Sequence, residues 1–204
     1  MSSVLLFAFS SFSFAADLND VVKKVELRYK DVSSLKASFV QVTNNPAFPE
    51  PIQQSGTLSM MKPHNLRWDF EGAQSYIHNG EKIWMWNPIL NQVVITKSQG
   101  NGDQLTSLLT DLSKLEKQYG IILKEESTDA FHLEITPKEQ NQAFDKLNLF
   151  IQKETFVLNK LSYSAENTGS VEISFSDLQF NASFDSKLFT FVPPKDAEVI
   201  EIDE

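Results

Sequence analysis

The chain has 204 residues, with 16 phenylalanines, 7 glycines and no cysteine, and its formal net charge at pH 7 is −9. This length suits one domain with a sizeable core, and the aromatic content favours a β-rich fold. The acidic charge disfavours nucleic acid and anionic lipid surfaces as partners, and the lack of cysteine excludes disulfides, thiolate nucleophiles and cysteine metal sites.

The first 15 residues carry no charged side chain and are rich in leucine, phenylalanine, alanine and serine. Their apolar run is shorter than the ~20 residues that span a bilayer. Ser13-Phe14-Ala15 offers small residues where a signal peptidase cleaves. We therefore predict a signal peptide at 1–15, followed by a single domain at 16–204 with a short acidic C-terminal tail. Because the segment lacks lysine and arginine, a buried N-terminal strand or helix is the alternative.

The next stretch has the spacing of an amphipathic helix. Asp17 or Asn19 could cap its start, and Ser33-Ser34 is predicted to end it. Its apolar positions are Leu18, Val21, Val22, Val25, Tyr29 and Val32.

A series of short antiparallel strands is predicted between Leu35 and Thr96. The period changes to two at 35–43, and three prolines at 44–51 predict a loop. Apolar and charged residues alternate at 66–71, and Asn79-Gly80 suits a tight hairpin turn. The following strand, 82–87, carries two of the three tryptophans.

A second amphipathic helix is predicted from its leucine spacing, with Asp103 as N-cap and Gly120 as its end. Strands with alternating apolar residues follow it. About ten strands and two helices predict a mainly β fold, in which one curved antiparallel sheet exposes an apolar face on one side. The two helices are the available cover for that face.

Catalytic and metal-binding patterns are lacking in the sequence. His64, His78 and His132 are scattered and do not have metal-ligand spacing. Asp69 and Glu71 could act as an acid and base pair, but their alternation with Trp68 and Phe70 favours a solvated strand face. The sequence therefore predicts no enzyme, no cofactor and no metal.

Several short motifs, in order along the chain, resemble the LolA family of periplasmic lipoprotein carriers. They are Val32–Gln41, Ser55–Leu58, Lys62-Pro63, Arg67-Trp68, Asn79-Gly80, Trp84–Pro88, Phe189–Pro194 and Val199-Ile200. The resemblance implies an unclosed antiparallel β half-barrel whose apolar cavity is covered by helices. It also implies a soluble monomeric periplasmic chaperone that takes acylated lipoproteins from an inner-membrane ABC-type transporter to an outer-membrane acceptor.

The expected acyl-binding residues follow from matching these motifs and from the alternating strands. The cavity is predicted to be lined by Phe39, Leu58, Leu66, Trp68, Phe70, Tyr76, Met85, Leu133, Leu149 and Phe175. The lid faces are predicted to be Val22, Val25, Tyr29, Leu105, Leu108 and Leu109. For any one of these residues, membership of a permanently packed core is the alternative interpretation.

Lys62 stands where the family commonly has an arginine that hydrogen-bonds the lid and holds the unloaded form closed. An ammonium lacks the planar fork of a guanidinium, so the resemblance implies a looser latch at Lys62. Two other functions stay open at this point. One is a different secreted lipid- or glycolipid-binding module, or a sensor of mislocalised lipoproteins, on the same fold; the other is a hydrolase.

Overall fold

A computed structural model describes residues 16–98, 108–109, 111–138, 146–165 and 169–202. The predicted signal peptide, Asp103 and Leu105 therefore lie outside the described residues. Twelve strands lie within the described ranges: β1 Ser34–Asn44, β2 Ile52–Met61, β3 Asn65–Phe70, β4 Ser75–Asn79, β5 Lys82–Asn87, β6 Gln92–Lys97, β7 Tyr119–Glu126, β8 Ala130–Pro137, β9 Leu147–Gln152, β10 Leu158–Ala165, β11 Gly169–Phe180 and β12 Glu198–Ile202.

All twelve strands belong to one sheet, in the order β12-β6-β5-β4-β3-β2-β1-β11-β10-β9-β8-β7. The pairing of β1 with β11 joins the two halves of the chain, from Leu35 opposite Phe180 to Asn44 opposite Ser170. β7 and β12 are at opposite ends of this order, so the sheet is not closed. The prediction of a mainly β, unclosed fold with helices as cover is confirmed.

The sequence analysis predicted an acidic C-terminal tail, but Glu198–Ile202 of this segment forms strand β12. β12 pairs with β6 in parallel, from Glu198 opposite Gln92 to Ile202 opposite Thr96. The sheet is therefore antiparallel in all its pairs except this one. All five residues of β12 are exposed, as suits a strand at the edge of the sheet.

Helix α1 spans Leu18–Lys30 and begins as the sequence predicts. The N–H of Asn19 donates to the Asp17 carboxylate at 3.0 Å, which satisfies one of the free donors of the first turn. The apolar stripe is buried against the sheet, while the helix ends at Lys30, before Ser33.

The second helical segment ends earlier than predicted. Leu108 and Leu109 are helical, a 3₁₀ turn spans Leu112–Lys114, and helix α2 spans Leu115–Gln118. Tyr119 begins β7 and pairs with Pro137, so the prediction that Gly120 ends the helix is wrong. Cross-strand pairing with β8 overrides the helical spacing at this point. Within the described ranges, none of the helices combines the length and apolarity needed to cross a membrane.

The main core lies between the concave face of the sheet and the helices. Alternate residues of β1, β2, β3 and β8–β11 point inward, and they are covered by α1 and by Leu108, Leu109, Leu112 and Leu115. Inward residues with almost no exposure include Phe39, Leu58, Leu66, Leu133 and Leu149.

A second, smaller core lies on the convex face, which corrects the prediction that only one face needs a cover. Ile77, Trp84 and Val93 are buried there, and Trp86 packs on Phe191 with ring centroids 5.3 Å apart. The segment after β11 crosses this face, fixed by a hydrogen bond from the Arg67 guanidinium to the carbonyl oxygen of Leu188 at 3.2 Å. Trp84 therefore belongs to the convex core, and Trp86 packs against it.

Candidate functional site

A cavity of about 500 Å³ opens on the concave face of the sheet, between the β3–β6 half and strands β1, β10 and β11. Its volume is within the ~300–1,000 Å³ of typical small-molecule sites. It is lined by Gln41, Leu66, Trp68, Phe70, Gln74, Ser75, Tyr76, Met85, Trp86, Asn87, Gln92, Val94, Tyr163 and Ile173.

Strand register explains the apolar wall of the cavity. Leu58 pairs with Trp68, Trp68 with Tyr76, Tyr76 with Met85, and Met85 with Val94, so these five residues form one row across five strands. Directly opposed side chains lie on the same face of a sheet, about 5 Å apart. The row is therefore a continuous apolar surface, and four of its members line the cavity.

Aromatic side chains pack together around Trp68 in the cavity wall. The Phe39 ring is 5.1 Å from both Trp68 and Phe70, and Trp68 is 6.4 Å from Phe175. Gly56, opposite both Phe39 and Phe70, makes this arrangement possible. A Cβ at Gly56 would lie 2.8 Å from the Phe39 ring and 1.9 Å from the backbone oxygen of Asp69. Only a glycine fits at this point of β2.

One end of the cavity, its mouth, lies at the β3–β4 and β5–β6 turns. The polar residues Gln74, Ser75, Asn87 and Gln92 line this end. The β5–β6 turn that projects next to them carries Ile89 and Leu90, which are 77% and 65% exposed. An apolar interior with a polar rim suits a ligand with a long apolar chain and a polar head.

The concave space beneath α1 is almost filled. The void there is about 10 Å³ and is lined by Leu58 and Phe175 from the sheet and by Tyr29, Leu109 and Leu112 from the cover. This volume is at the lower limit for one water molecule. The concave face is thus divided into an open half near the mouth and a packed half under the helices.

The ten predicted cavity residues are distributed over both halves. Five of them line the open cavity: Leu66, Trp68, Phe70, Tyr76 and Met85. The other five, Phe39, Leu58, Leu133, Leu149 and Phe175, belong to the packed core. The predicted lid residues Val22, Val25, Tyr29, Leu108 and Leu109 are buried in the same core, and Leu105 lies outside the described residues.

Lys62 connects the sheet to both parts of the helical cover. Its ammonium donates to the backbone carbonyl oxygen of Tyr29 at 3.3 Å and lies 3.3 Å from the Asp111 carboxylate. Burial alone would raise the pKa of Asp111, but hydrogen bonds from Lys114 and Ser113 and the charges of Lys62 and Lys114 together lower it to about 2. Asp111 is therefore ionised at neutral pH and attracts Lys62.

Tyr29 fastens α1 to the other half of the sheet. Its hydroxyl accepts a hydrogen bond from the backbone N–H of Leu158 at 3.1 Å, in a buried position. Burial raises the pKa of Tyr29 to about 12, so the phenol is neutral. The Glu26 carboxylate accepts from the backbone N–H of Glu116 at 2.9 Å and joins α1 to α2.

The residues considered for catalysis do not converge. Asp69 accepts hydrogen bonds from Arg67 at 2.7 Å and from Ser75 at 2.6 Å, while Glu71 accepts from Ser55. His78 and His132 lie on different strands, bonded to Ser98 and Asn148 respectively. These side chains make local strand contacts rather than a common site.

Sequence reasoning missed several residues of the site. Gln41 and Ile173 continue the inward alternation of Phe39 and Phe175, so period two could have identified them as cavity residues. Asp111 had no signal, because its role depends on a partner 49 positions earlier in the chain.

The chain is similar in sequence to known proteins. A family described as "Outer membrane lipoprotein carrier protein LolA" matches residues 30–192. The chain is 30% identical over 174 residues to an outer-membrane lipoprotein carrier protein of Dechloromonas aromatica, covering 84% of this chain and 83% of that protein. It is 30% identical over 190 residues to a protein of the same name from Pseudomonas paraeruginosa, covering 91% and 90%.

Among solved structures, the chain resembles an uncharacterized conserved protein from Thermus thermophilus. The TM-score is 0.57 and the sequence identity 15%, with coverage of 90% of this chain and 98% of that one. At this identity the likeness concerns the fold alone.

Proposed function

Because this chain belongs to the LolA family of outer-membrane lipoprotein carriers, we propose that it binds lipoprotein acyl chains in the concave cavity and carries them across the periplasm. The observation that carries the proposal is the apolar row from Trp68 to Val94, which faces an open cavity beside a helical cover. Such a row offers little to hold a water-soluble ligand, but it suits methylene chains.

The packed half of the concave face could provide additional space for cargo if the helical cover moves. A cavity of about 500 Å³ is the size of one small-molecule site, so a cargo with several acyl chains needs more space. Moving α1, Leu109 and Leu112 away from Leu58 and Phe175 would join both halves. Each buried methylene contributes ~0.8 kcal/mol, and opening the cover offsets part of this gain, which keeps release possible.

Lys62 acts as the latch of the cover in this proposal. Its bonds to Tyr29 and Asp111 exist only when both parts of the cover lie on the sheet. Cargo entry must break them, so the latch favours the closed cargo-free form.

The carrier receives its cargo from an inner-membrane ABC-type transporter, delivers it to an outer-membrane acceptor, and works as a monomer without chemical turnover. It reaches the periplasm through a signal peptide at 1–15. A bound lipoprotein should therefore be recovered chemically unchanged.

The test uses Trp68 as the reporter of the cavity. In a Trp84→Phe/Trp86→Phe variant of the 16–204 chain, Trp68 is the remaining tryptophan. Addition of a triacylated peptide should change its emission saturably, and native mass spectrometry should detect a 1:1 complex. The same peptide without acyl chains should produce neither effect. An unchanged spectrum and the absence of a complex with the acylated peptide would contradict the proposal.

A further inference from the structure

Trp68 carries a hydrogen-bond donor that none of the residues described by the structure accepts. Its side chain is 7% exposed and lines the cavity. Its indole Nε1 is buried and has no acceptor among the residues that the structure describes. Buried polar groups nearly always have a partner, so an unpaired donor in a ligand cavity needs an explanation.

The surroundings of this indole explain why it stays unpaired. Phe39, Phe70 and Phe175 pack around the ring, and its cross-strand neighbours are Leu58 and Tyr76. A phenylalanine would fill a similar apolar place and would not leave a donor without an acceptor. The indole N–H therefore destabilises the closed form, and an acceptor that enters with the ligand would remove this cost.

We infer that the indole N–H of Trp68 donates a hydrogen bond to the carbonyl oxygen of a bound acyl chain, at an ester or an amide linkage. The inference rests on the proposed function and adds a specificity to it. A lipid chain offers few acceptors below its head group, and the acyl carbonyl is the one present in every acylated cargo.

The position of Trp68 along β3 suits this role. Phe70 lies two residues nearer the polar rim on the same face, a distance of about 7 Å along the strand. A head group at the rim formed by Gln74, Ser75 and Asn87 would then place the first carbonyl of its chain at the depth of Trp68. The rest of the chain would extend past Leu66 toward the cover.

The test compares two ligands that differ in the carbonyl alone, 1-monomyristoylglycerol and 1-O-tetradecylglycerol. The ester ligand should bind the wild-type chain about three- to tenfold more tightly than the ether ligand, as one net hydrogen bond predicts. In Trp68→Phe this ratio should fall to about one, while Trp84→Phe on the convex face should retain it. In the ¹⁵N-tryptophan-labelled wild type, the indole proton of Trp68 should shift downfield with the ester and much less with the ether.

The outcomes separate the inference from the proposed function. If both ligands bind but the Trp68 proton responds equally to them, the inference is overturned and the carrier function stands. If Trp68→Phe fails to fold, the proton shift in the wild type decides the matter. If neither ligand binds, the acyl-binding function fails and the inference fails with it.

Discussion

The ammonium of Lys62 lies 3.3 Å from the backbone carbonyl oxygen of Tyr29, which joins the end of strand β2 to the last turn of α1. The same ammonium contacts Asp111 on the second part of the cover. One side chain thus holds both covering segments on the sheet.

Lys62→Met should loosen the cover without changing the bulk of the side chain greatly. The variant loses one hydrogen bond to a carbonyl and one ion pair. The equilibrium constant for local opening of α1 should therefore rise about three- to tenfold, measured as faster hydrogen exchange of the 18–30 peptide. Lys114→Met is the matched control, because Lys114 and Asp111 lie on the same covering segment and cannot join it to the sheet. Equal exchange in both variants would remove the latch role from Lys62.

Lys62→Arg should act in the opposite direction. A guanidinium can donate to the Tyr29 carbonyl and the Asp111 carboxylate at once through separate N–H groups, whereas an ammonium shares one centre between them. Exchange of α1 should slow and release of bound cargo should become slower. Faster exchange in this variant would show that the longer planar group does not fit the latch.

The contribution of Asp111 to stability should depend on pH. Its folded-state pKa is lowered to about 2, below the ordinary value of 3.8, so its stabilising effect is complete above pH ~3.8 and is lost as the pH falls through about 2. The difference in free energy of unfolding between the wild type and Asp111→Asn should therefore shrink between pH 5 and pH 2. Urea titrations at both pH values measure it, and a difference that grows on acidification would contradict the assignment.

Tyr29→Phe should release α1 from β10. The substitution keeps the ring but leaves the buried N–H of Leu158 without its acceptor, which typically costs about 1–3 kcal/mol. Urea unfolding should measure this loss, with the Tyr29–Phe180 ring contact retained. An unchanged free energy of unfolding would mean that another group accepts this hydrogen bond.

Met85→Trp should block the cavity without disturbing the packed core. Met85 lies in the cross-strand row and is 42% exposed, so a larger side chain there has room to occupy the open space. Affinity for a triacylated peptide should fall by at least tenfold at unchanged melting temperature. Ile122→Trp on the exposed part of β7 is the control and should bind normally. Equal binding by both variants would place the acyl chains elsewhere.

The position of the mature N-terminus is also testable. The backbone N–H of Ala16 donates to the Glu126 carboxylate at 3.0 Å, and hydrogen bonds from Lys153 and Ala16 lower the pKa of Glu126. Cleavage after Ala15 would place a new ammonium group against this carboxylate. N-terminal sequencing of the chain recovered from the periplasmic fraction should begin at Ala16; a start beyond Asp17 would contradict this prediction, because it would remove the cap of α1.

The alternation of apolar residues was sufficient to predict most of the sheet. It located the central strands, the Asn79-Gly80 turn and the amphipathic face of α1, because these patterns depend on neighbours within one element. It missed β7, where Tyr119 continues an apparent helical spacing, and β12, whose acidic residues resemble a solvated tail. Both strands are specified by their partner strands rather than by their own local pattern.

The limits of the cavity could not be predicted from the same pattern. Phe39 and Phe70 are both inward residues of the same sheet, yet Phe39 belongs to the packed core and Phe70 also lines the open cavity. The difference depends on where α1 lies, which is a property of the tertiary structure. Likewise, the pattern around Trp84 did not indicate that its face of the sheet would be covered, because the covering residue Phe191 is more than 100 positions away in the chain.

The central claim, that the cover moves to admit an acylated cargo, is tested most directly by the distance between α1 and the cavity mouth. Because the chain has no cysteine, Leu27→Cys on α1 and Ile89→Cys on the β5–β6 turn, both exposed positions, accept spin labels uniquely. Electron–electron double resonance should give one distance in the cargo-free chain and a longer one when a triacylated peptide is bound. An unchanged distance with the peptide demonstrably bound would contradict the claim.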